Sequence, residues 1–451
     1  MREKIESALK GHDADYIEIR IEEIESARIQ YRDRTIEDIG RTTGLGGNAR
    51  AMVKGGWGFV SFNSLDGLKE KVALAVKQAR LVGQETSQLA PVEPVVDFDE
   101  VKVKKDPTTV PLAQKKDILD QYNDIIWSAP KVQTSSVGYS DSLKKKIFAS
   151  SEGSYIEQIR PDVTIRLAVI ARDGSDVQQA HLSLGSLGEF KFVEELHDQV
   201  RDMAQRASEL LAAPQVKGGE YTVVCDPILA GVFVHEAFGH LSESDFVYEN
   251  DQMKELMVLG RKFGEKHLNI IDGASIPDLR GSYKYDDEGT PATKTYLIRE
   301  GILEGRLHSR ETAAKMGEQP TGNARAISYQ YQPIVRMTNT YIEPNGTSFE
   351  DMIADIKEGV YARNWYGGMT SMEMFTFSAG EAYMIRDGKI AELMRPVVLS
   401  GNVFTTLENT RYLASEGKNW WKKSGGRSEI STKNSSKIGV KTPYYLCFHS
   451  L

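Results

Sequence analysis

The sequence predicts an α+β fold: an N-terminal α/β half with an antiparallel sheet and helices, then a strand-rich C-terminal half built around the helix that carries His235, Glu236 and His240. Three observations predict it. Residues 14–63 alternate apolar and polar side chains with period two, as in Tyr16-Ile-Glu-Ile-Arg-Ile-Glu and Ala27-Arg-Ile-Gln-Tyr, the pattern of half-buried strands. Leu68, Val72, Leu74 and Val76 then recur at helical spacing within Leu65 to Leu81, so the first unit is a sheet carrying a helix. The pattern breaks at Ala212-Ala-Pro-Gln-Val-Lys-Gly-Gly, and short strands and turns dominate the chain beyond it.

Taken in order, Gly44-Leu-Gly-Gly, Gly55-Gly56 and Gly58 read as turns between the early strands. Pro91, Pro94, Pro107 and Pro111 mark residues 88–113 as a linker or long surface crossing. A helix is expected from Leu112 to Ser128, then strands through Gly138-Tyr-Ser, Ile147-Phe-Ala and Val163-Thr-Ile-Arg-Leu-Ala-Val-Ile, and an amphipathic helix from Phe192 to Leu211. These divide the chain into an N-terminal α/β domain, 1–215, and a C-terminal β-rich domain, 216–451. The C-terminal domain opens on the strand Glu220-Tyr-Thr-Val-Val-Cys and two initial helices, and Arg336-Met-Thr-Asn-Thr-Tyr-Ile and Phe375-Thr-Phe-Ser-Ala-Gly-Glu-Ala-Tyr-Met-Ile read as further strands. No fixed 20–50 residue repeat is visible, which argues against a solenoid. The ending, 418–451, is atypical: from Lys418 to Lys441 it is basic, Ser-rich and poor in apolar residues, and reads as disorder or a solvated flap.

Composition excludes several classes. With 40% hydrophobic, 27% charged and 9% aromatic residues, the 451-residue chain is globular rather than fibrous or disordered. No apolar run approaches the roughly 18 residues a membrane helix needs, and Met1-Arg-Glu-Lys-Ile-Glu-Ser is charged where a signal peptide turns apolar, so the expectation is a cytoplasmic protein with no membrane partner. A net charge of -8 from 56 basic and 64 acidic residues supplies no drive toward phosphate backbones, which makes nucleic acid an unlikely partner. Two cysteines, Cys225 and Cys447, are too few for a disulfide framework and too far apart for a paired CxxC site. Any metal must therefore rest mainly on histidines and carboxylates.

Asp226-Pro227 starts a helix well, because Asp accepts from free N–H groups and Pro tolerates the first helical position. Ile228, Leu229, Val232 and Phe233 supply its buried face, and His235-Glu236-Ala237-Phe238-Gly239-His240 comes next. Residues five apart on a regular helix differ by about 140° in direction, so one metal cannot meet both imidazoles unless the helix is distorted. Either it widens into a π-type turn, or it ends at Gly239. Neutral imidazole suits zinc and similar metals, and a glutamate beside a ligand can take the proton of a metal-bound water. The competing bland reading is a pair of hydrogen-bonded core histidines. Glu243 shares the face of His240 if the turn continues; it can hold that imidazole from behind, bind as a further ligand or cap the helix, and the first is preferred. Tyr285-Asp-Asp-Glu-Gly-Thr-Pro offers three carboxylates that could hold a hard cation, but it lacks the alternating spacing of an EF-hand loop, and a solvated turn or structural lock is preferred.

These motifs together resemble the TldD/PmbA family of cytoplasmic metallopeptidases, and within it the TldD-type branch. His235-Glu-Ala-Phe-Gly-His-Leu-Ser-Glu matches that branch's HExxxH motif and downstream glutamate, with further matches at Asp286-Asp-Glu-Gly-Thr-Pro-Ala, Thr321-Gly-Asn, Arg336-Met-Thr-Asn-Thr-Tyr-Ile, Gly367-Gly and Ala382-Tyr-Met-Ile-Arg-Asp-Gly-Lys-Ile. The resemblance implies a peptidase acting on unfolded or short peptides, with His235 and His240 as ligands of one divalent metal, zinc or alternatively iron, and Glu236 as general base on a metal-bound water. It also implies a dimer, either with itself or with a PmbA-type subunit that lacks the motif. The family's third ligand is a cysteine in a C-G-K-x-G-Q segment, whose nearest counterpart here is Trp421-Lys422-Lys423-Ser424-Gly425-Gly426, with tryptophan in the cysteine's place. Tryptophan cannot bind the metal, and a shifted reading frame or a degenerate copy produces such an ending. Cys447 and His449 form a C-x-H that nothing aligns with the family cysteine, and Cys225 reads as a small buried residue. The alternative function is therefore a non-catalytic or damaged family subunit that keeps fold and dimer contacts but lacks a complete metal site.

Overall fold

The computed structural model describes residues 1–83, 87–277, 279–344, 346–371, 373–415 and 444–448. Of the expected tail, residues 418–443 and 449–451, with Trp421 to Gly426 and His449, lie outside the described residues.

The N-terminal half is one seven-stranded sheet. Its strands are β1 (Tyr16–Arg32), β2 (Thr35–Val53), β3 (Gly56–Phe62), β4 (Val96–Glu100), β5 (Val132–Ser150), β6 (Tyr155–Asp173) and β7 (Asp176–Ser186), in the order β3-β2-β1-β5-β6-β4, with β7 also on β6. All pairs are antiparallel except β4 on β6, which is parallel. Helices cover the apolar face in two groups. The first, α1 (Arg2–Leu9) and α2 (Leu68–Val82), buries Ile17, Ile19, Ile21, Ala49 and Ala51. The second, α3 (Leu112–Ser128), the short α4 (Lys191–Glu194) and α5 (His197–Ala212), buries Ile29, Val137, Ile165, Leu167 and Val169. The expected helix at Leu112 to Ser128 is present, whereas the one expected from Phe192 to Leu211 is two helices, broken at Glu195 and Leu196. The proline-rich crossing at 88–113 is not wholly irregular, since it contains β4.

Two expectations about this half are corrected. Gly44, Gly46 and Gly47 do not make a turn; they lie inside β2, paired with Ile24, Glu22 and Ile21 of β1. A Cβ on Gly46 would lie 2.1 Å from the ring of Tyr329, so the glycine there admits a close approach from the C-terminal half rather than a bend. The alternation in β1 is half-exposed from Ala27 to Tyr31, as expected, but not at the start of the strand. Tyr16 to Glu22 are buried on both faces, because the C-terminal half covers the polar side chains Glu18, Arg20, Glu22, Asn48 and Arg50.

That covering is made by the acidic Asp286-Asp-Glu stretch, and every one of its carboxylates is engaged. Asp286 accepts from the backbone N–H groups of Glu288, Thr290 and Ala324 at 2.9, 2.9 and 3.0 Å. Asp287 pairs with Lys146 at 2.6 Å and Arg20 at 3.3 Å, and Glu288 with Arg50 at 2.6 Å, which also bonds Glu18 at 2.9 Å. Farther along the seam, Arg280 grips Asp162 with two bonds of 2.6 and 2.8 Å, and Arg310 grips Glu152 with two of 2.7 and 2.9 Å. The stretch is thus a buried lock between the halves, not a solvated turn or a cation loop.

In the C-terminal half, β8 (Thr222–Cys225) leads into α6 (Pro227–Val234). A four-stranded sheet joins β9 (Ile270–Gly273), β10 (Lys294–Arg299), β11 (Ile302–Leu303) and β14 (Thr340–Ile342), beside the two-stranded pair β12 (Ala324–Arg325) and β13 (Ile334–Val335). The remaining strands are β15 (Glu358–Arg363), β16 (Gly367–Ser371), β17 (Met374–Ser378), β18 (Glu381–Arg386), β19 (Lys389–Met394), β20 (Val398–Asn402), β21 (Thr410–Ser415) and β22 (Tyr444–Phe448). They form a six-stranded sheet, β19-β18-β15-β8-β22-β21, and a three-stranded one, β16-β17-β20. Of the expected strand over Arg336 to Ile342 only Thr340–Ile342 is a strand. Thr338, Thr340 and Asn323 instead surround the buried Asp272, whose oxygens accept from Thr338 N, Thr338 Oγ1, Thr340 Oγ1 and Asn323 Nδ2 at 2.7–2.9 Å. The core of this half wraps α6, with Phe233 edge-on to Phe375 and Phe377 at 5.2 and 6.0 Å between ring centres. No helix among the described residues is long and apolar enough to cross a membrane.

Candidate metal centre

The site begins at Asp226. Its Oδ1 accepts from Leu229 N at 2.8 Å, capping α6, and its Oδ2 accepts from Asn364 N at 3.1 Å, tying the helix start to the end of β15. Burial pushes the Asp226 carboxyl up to about 6, against the pull of Arg363 and the two backbone N–H groups. Leu229 to Val234 are all buried, so the helix is held on every side before the motif starts.

Of the two ways the five-residue spacing could be met, the chain uses the wide turn. His235–Gly239 is a π-helical turn, closed by His240 N donating to His235 O, and His240–Ser242 continues as a 3₁₀ turn. The extra residue in the turn brings the rings of His235 and His240 to 4.9 Å between centres, at 80° to one another. One donor atom each from His235, Glu236 and His240 lies within 4.8 Å of the others. His235 is buried at 8% exposure, and Glu236 and His240 are partly open.

The electrostatics reflect this crowding. Burial, with the charge of Glu243, raises the Glu236 carboxyl above its ordinary range, while His240 pulls it down. Burial disfavours a charged His240, but Glu243 and Glu236 outweigh it, and the imidazole is raised overall. His240 Nδ1 meets Glu243 Oε2 at 3.2 Å, and Glu236 Oε2 lies 3.8 Å from His240 Nε2. Glu243, for which the sequence allows three readings, therefore stands behind His240. Arg336 Nη1 donates to the same Glu243 oxygen at 2.9 Å. Arg336 opens a stretch read as a strand and as a family match, but it lies 93 residues from Glu243 along the chain and nothing local points to their contact.

Two imidazoles converge beside a carboxylate, so His235 and His240 offer nitrogen donors suited to zinc or iron with Glu236 next to them. The residues present fit such an ion. Cys225 is buried on β8 and takes no part in this cluster. The backbone at Cys447 belongs to β22 and stands opposite Val224, whose side chain packs with Met352, Ile353 and Ile385 rather than with α6.

Comparison with known proteins places the whole chain in a family. Residues 218–446 match the model of the PmbA/TldA metallopeptidase C-terminal domain, residues 105–213 that of the central domain and residues 17–79 that of domain 1. A metalloprotease of Synechocystis sp. is 48% identical over 415 residues, 92% of this chain and 89% of its own. One from Methanocaldococcus jannaschii is 37% identical over 90% of each chain, and a protein of Saccharolobus solfataricus named a zinc metalloprotease TldD homolog is 30% identical over 70% of this chain and 72% of its own. The fold is that of TldE from Thermococcus kodakarensis, at a TM-score of 0.74 and 17% identity over 100% of this chain and 99% of that one. A Thermotoga maritima protein described as a modulator of a DNA gyrase shares it at 0.77 and 19%, over 96% of each. By its motif, its fold and these relatives together, the chain belongs to the PmbA/TldD metallopeptidase family.

Proposed function

We propose that this chain is a metal-dependent peptidase that hydrolyses unfolded or short peptides, with His235 and His240 as ligands and Glu236 as general base. The observation that carries the reading is the π turn, which brings two histidines and a glutamate to one point on a helix otherwise buried on all sides. A bound zinc or iron ion would polarise the peptide carbonyl as a Lewis acid. Glu236 takes a proton from the attacking water at its carboxylate and passes it on to the leaving amine. His235 is buried, and a histidine ligand binds a metal in its neutral form.

Substrate enters as an added strand. β16 runs beside the motif turn and sits at the edge of its sheet, paired only with β17 among the described residues. Gly367 has open space where a Cβ would stand and Met369 is exposed, so an extended peptide can pair with this edge through its backbone and with little side-chain preference. The same reading makes the protein a cytoplasmic dimer, with itself or with a PmbA-type subunit, and divides it near residue 215. In support of that division, the seven-stranded sheet takes no strand from beyond it among the described residues.

The second reading is a subunit that keeps the fold without turnover, and the tryptophan at position 421 favours it. Metal analysis of the purified chain with a peptidase assay separates the two. Near-stoichiometric zinc or iron with hydrolysis supports the enzyme; absence of both supports the subunit.

A further inference from the structure

An imidazole can bind a metal through one nitrogen only if that nitrogen carries no proton, and the partner of the other nitrogen decides which one is free. At His240 the partner of Nδ1 is Glu243 Oε2 at 3.2 Å, and a carboxylate can only accept, so Nδ1 carries a proton and, in the neutral ring that binds a metal, Nε2 is the bare nitrogen. Nε2 is the nitrogen that faces Glu236.

Glu243 is itself held from three directions. Its backbone N–H donates to His240 O at 3.3 Å, closing the turn that folds its side chain back under the ring. Its main chain bridges to Leu307, which is fixed by Leu307 N donating to Ser242 O and Ser244 N donating to Leu307 O at 2.8 and 3.0 Å. Its charged oxygen takes the second bond, from Arg336 Nη1 at 2.9 Å. Glu243 is 5% exposed, and the guanidinium of Arg336 is the cation that meets it there.

We infer that Glu243 and Arg336 are positioning residues: Glu243 fixes the tautomer and direction of His240, and Arg336 holds Glu243 to that task. This rests on the assignment of His240 as a ligand only for its consequence, not for the tautomer itself. Neither residue touches the cluster formed by His235, Glu236 and His240 except through His240.

The test uses the full chain, stripped of metal, with its histidines labelled with ¹⁵N. The wild type should show His240 in one form, protonated at Nδ1. Glu243→Ala should release it to a mixture with the Nε2–H form, and Arg336→Ala, at a partly exposed residue and so safe for folding, should shift it in the same direction. Titration with zinc alone should then weaken by about 10–100-fold in Glu243→Ala and by less in Arg336→Ala. If His240 in Glu243→Ala keeps the single Nδ1–H form, or if zinc binds both proteins equally, the inference is overturned. A wild type that binds no zinc while the tautomer still shifts upholds the positioning role and removes the peptidase reading instead.

Discussion

The sulfur of Met337 occupies the space in which a side chain on Gly239 would begin: a Cβ there would stand 2.0 Å from Met337 Sδ. Gly239 ends the π turn and Met337 belongs to the segment that reaches Asp272, so this contact clamps the motif turn against the four-stranded sheet. The glycine in the motif is required by packing from outside the helix, not by backbone conformation, since its φ and ψ are helical at -60° and -46°.

Gly239→Ala should therefore destabilise the protein by about 1–3 kcal/mol through overpacking. It should also weaken metal uptake by displacing His240. Adding Met337→Ala should recover part of the loss, and a double-mutant cycle read by urea unfolding checks the coupling. Additive effects of the two substitutions would refute the clamp.

Glu236→Gln keeps the size of the side chain but cannot accept a proton. Peptide hydrolysis should fall by roughly 10²–10⁴-fold while metal content stays at the parental level. His235→Ala should lose the metal as well as the activity. Parental rates in the glutamine variant would remove the general-base role.

Acid should loosen the seam between the halves. Burial works against an ionised Asp287, but Lys146 and Arg20 outweigh it and hold its carboxyl well below the usual range. A carboxyl lowered in the folded state stabilises the protein above its unfolded pKa, about 4, and that stability drains away as pH falls below it. The part of the urea midpoint that Asp287 contributes should thus fall away between about pH 4 and pH 2. Asp287→Asn should flatten that fall and cost about 3–5 kcal/mol at neutral pH, because Lys146 and Arg20 lose their shared partner.

Position 421 carries the question of the third ligand. Replacing residues 421–426 with the family's C-G-K-x-G-Q segment should tighten zinc binding at least tenfold, where Trp421→Cys alone gains less because the flanking residues that aim the thiolate also differ. Equilibrium dialysis of both variants against zinc measures the difference. Equal affinity in all three proteins would mean that the cluster at His235, Glu236 and His240 is complete without a thiolate from this segment.

Much of this was legible along the chain, and the part that was not shares one cause. The spacing of His235 and His240 by itself required either a widened turn or a break, and the period of the apolar residues placed α3 at its observed bounds, because both depend only on neighbours within a few residues. The alternation in β1 showed which side chains face the helices but not what meets the others. Arg20 and Arg50 look like part of a solvated face until Asp287 and Glu288, more than 200 residues later, arrive to pair with them. Gly46 reads as a turn until Tyr329 needs its space, and Glu243 has three readings until Arg336 and His240 close on it. A local pattern encodes which surface must leave water. The partner that a charge or a glycine is kept for comes from distant chain, so only the tertiary structure decided the lock, the clamp and the residues behind His240.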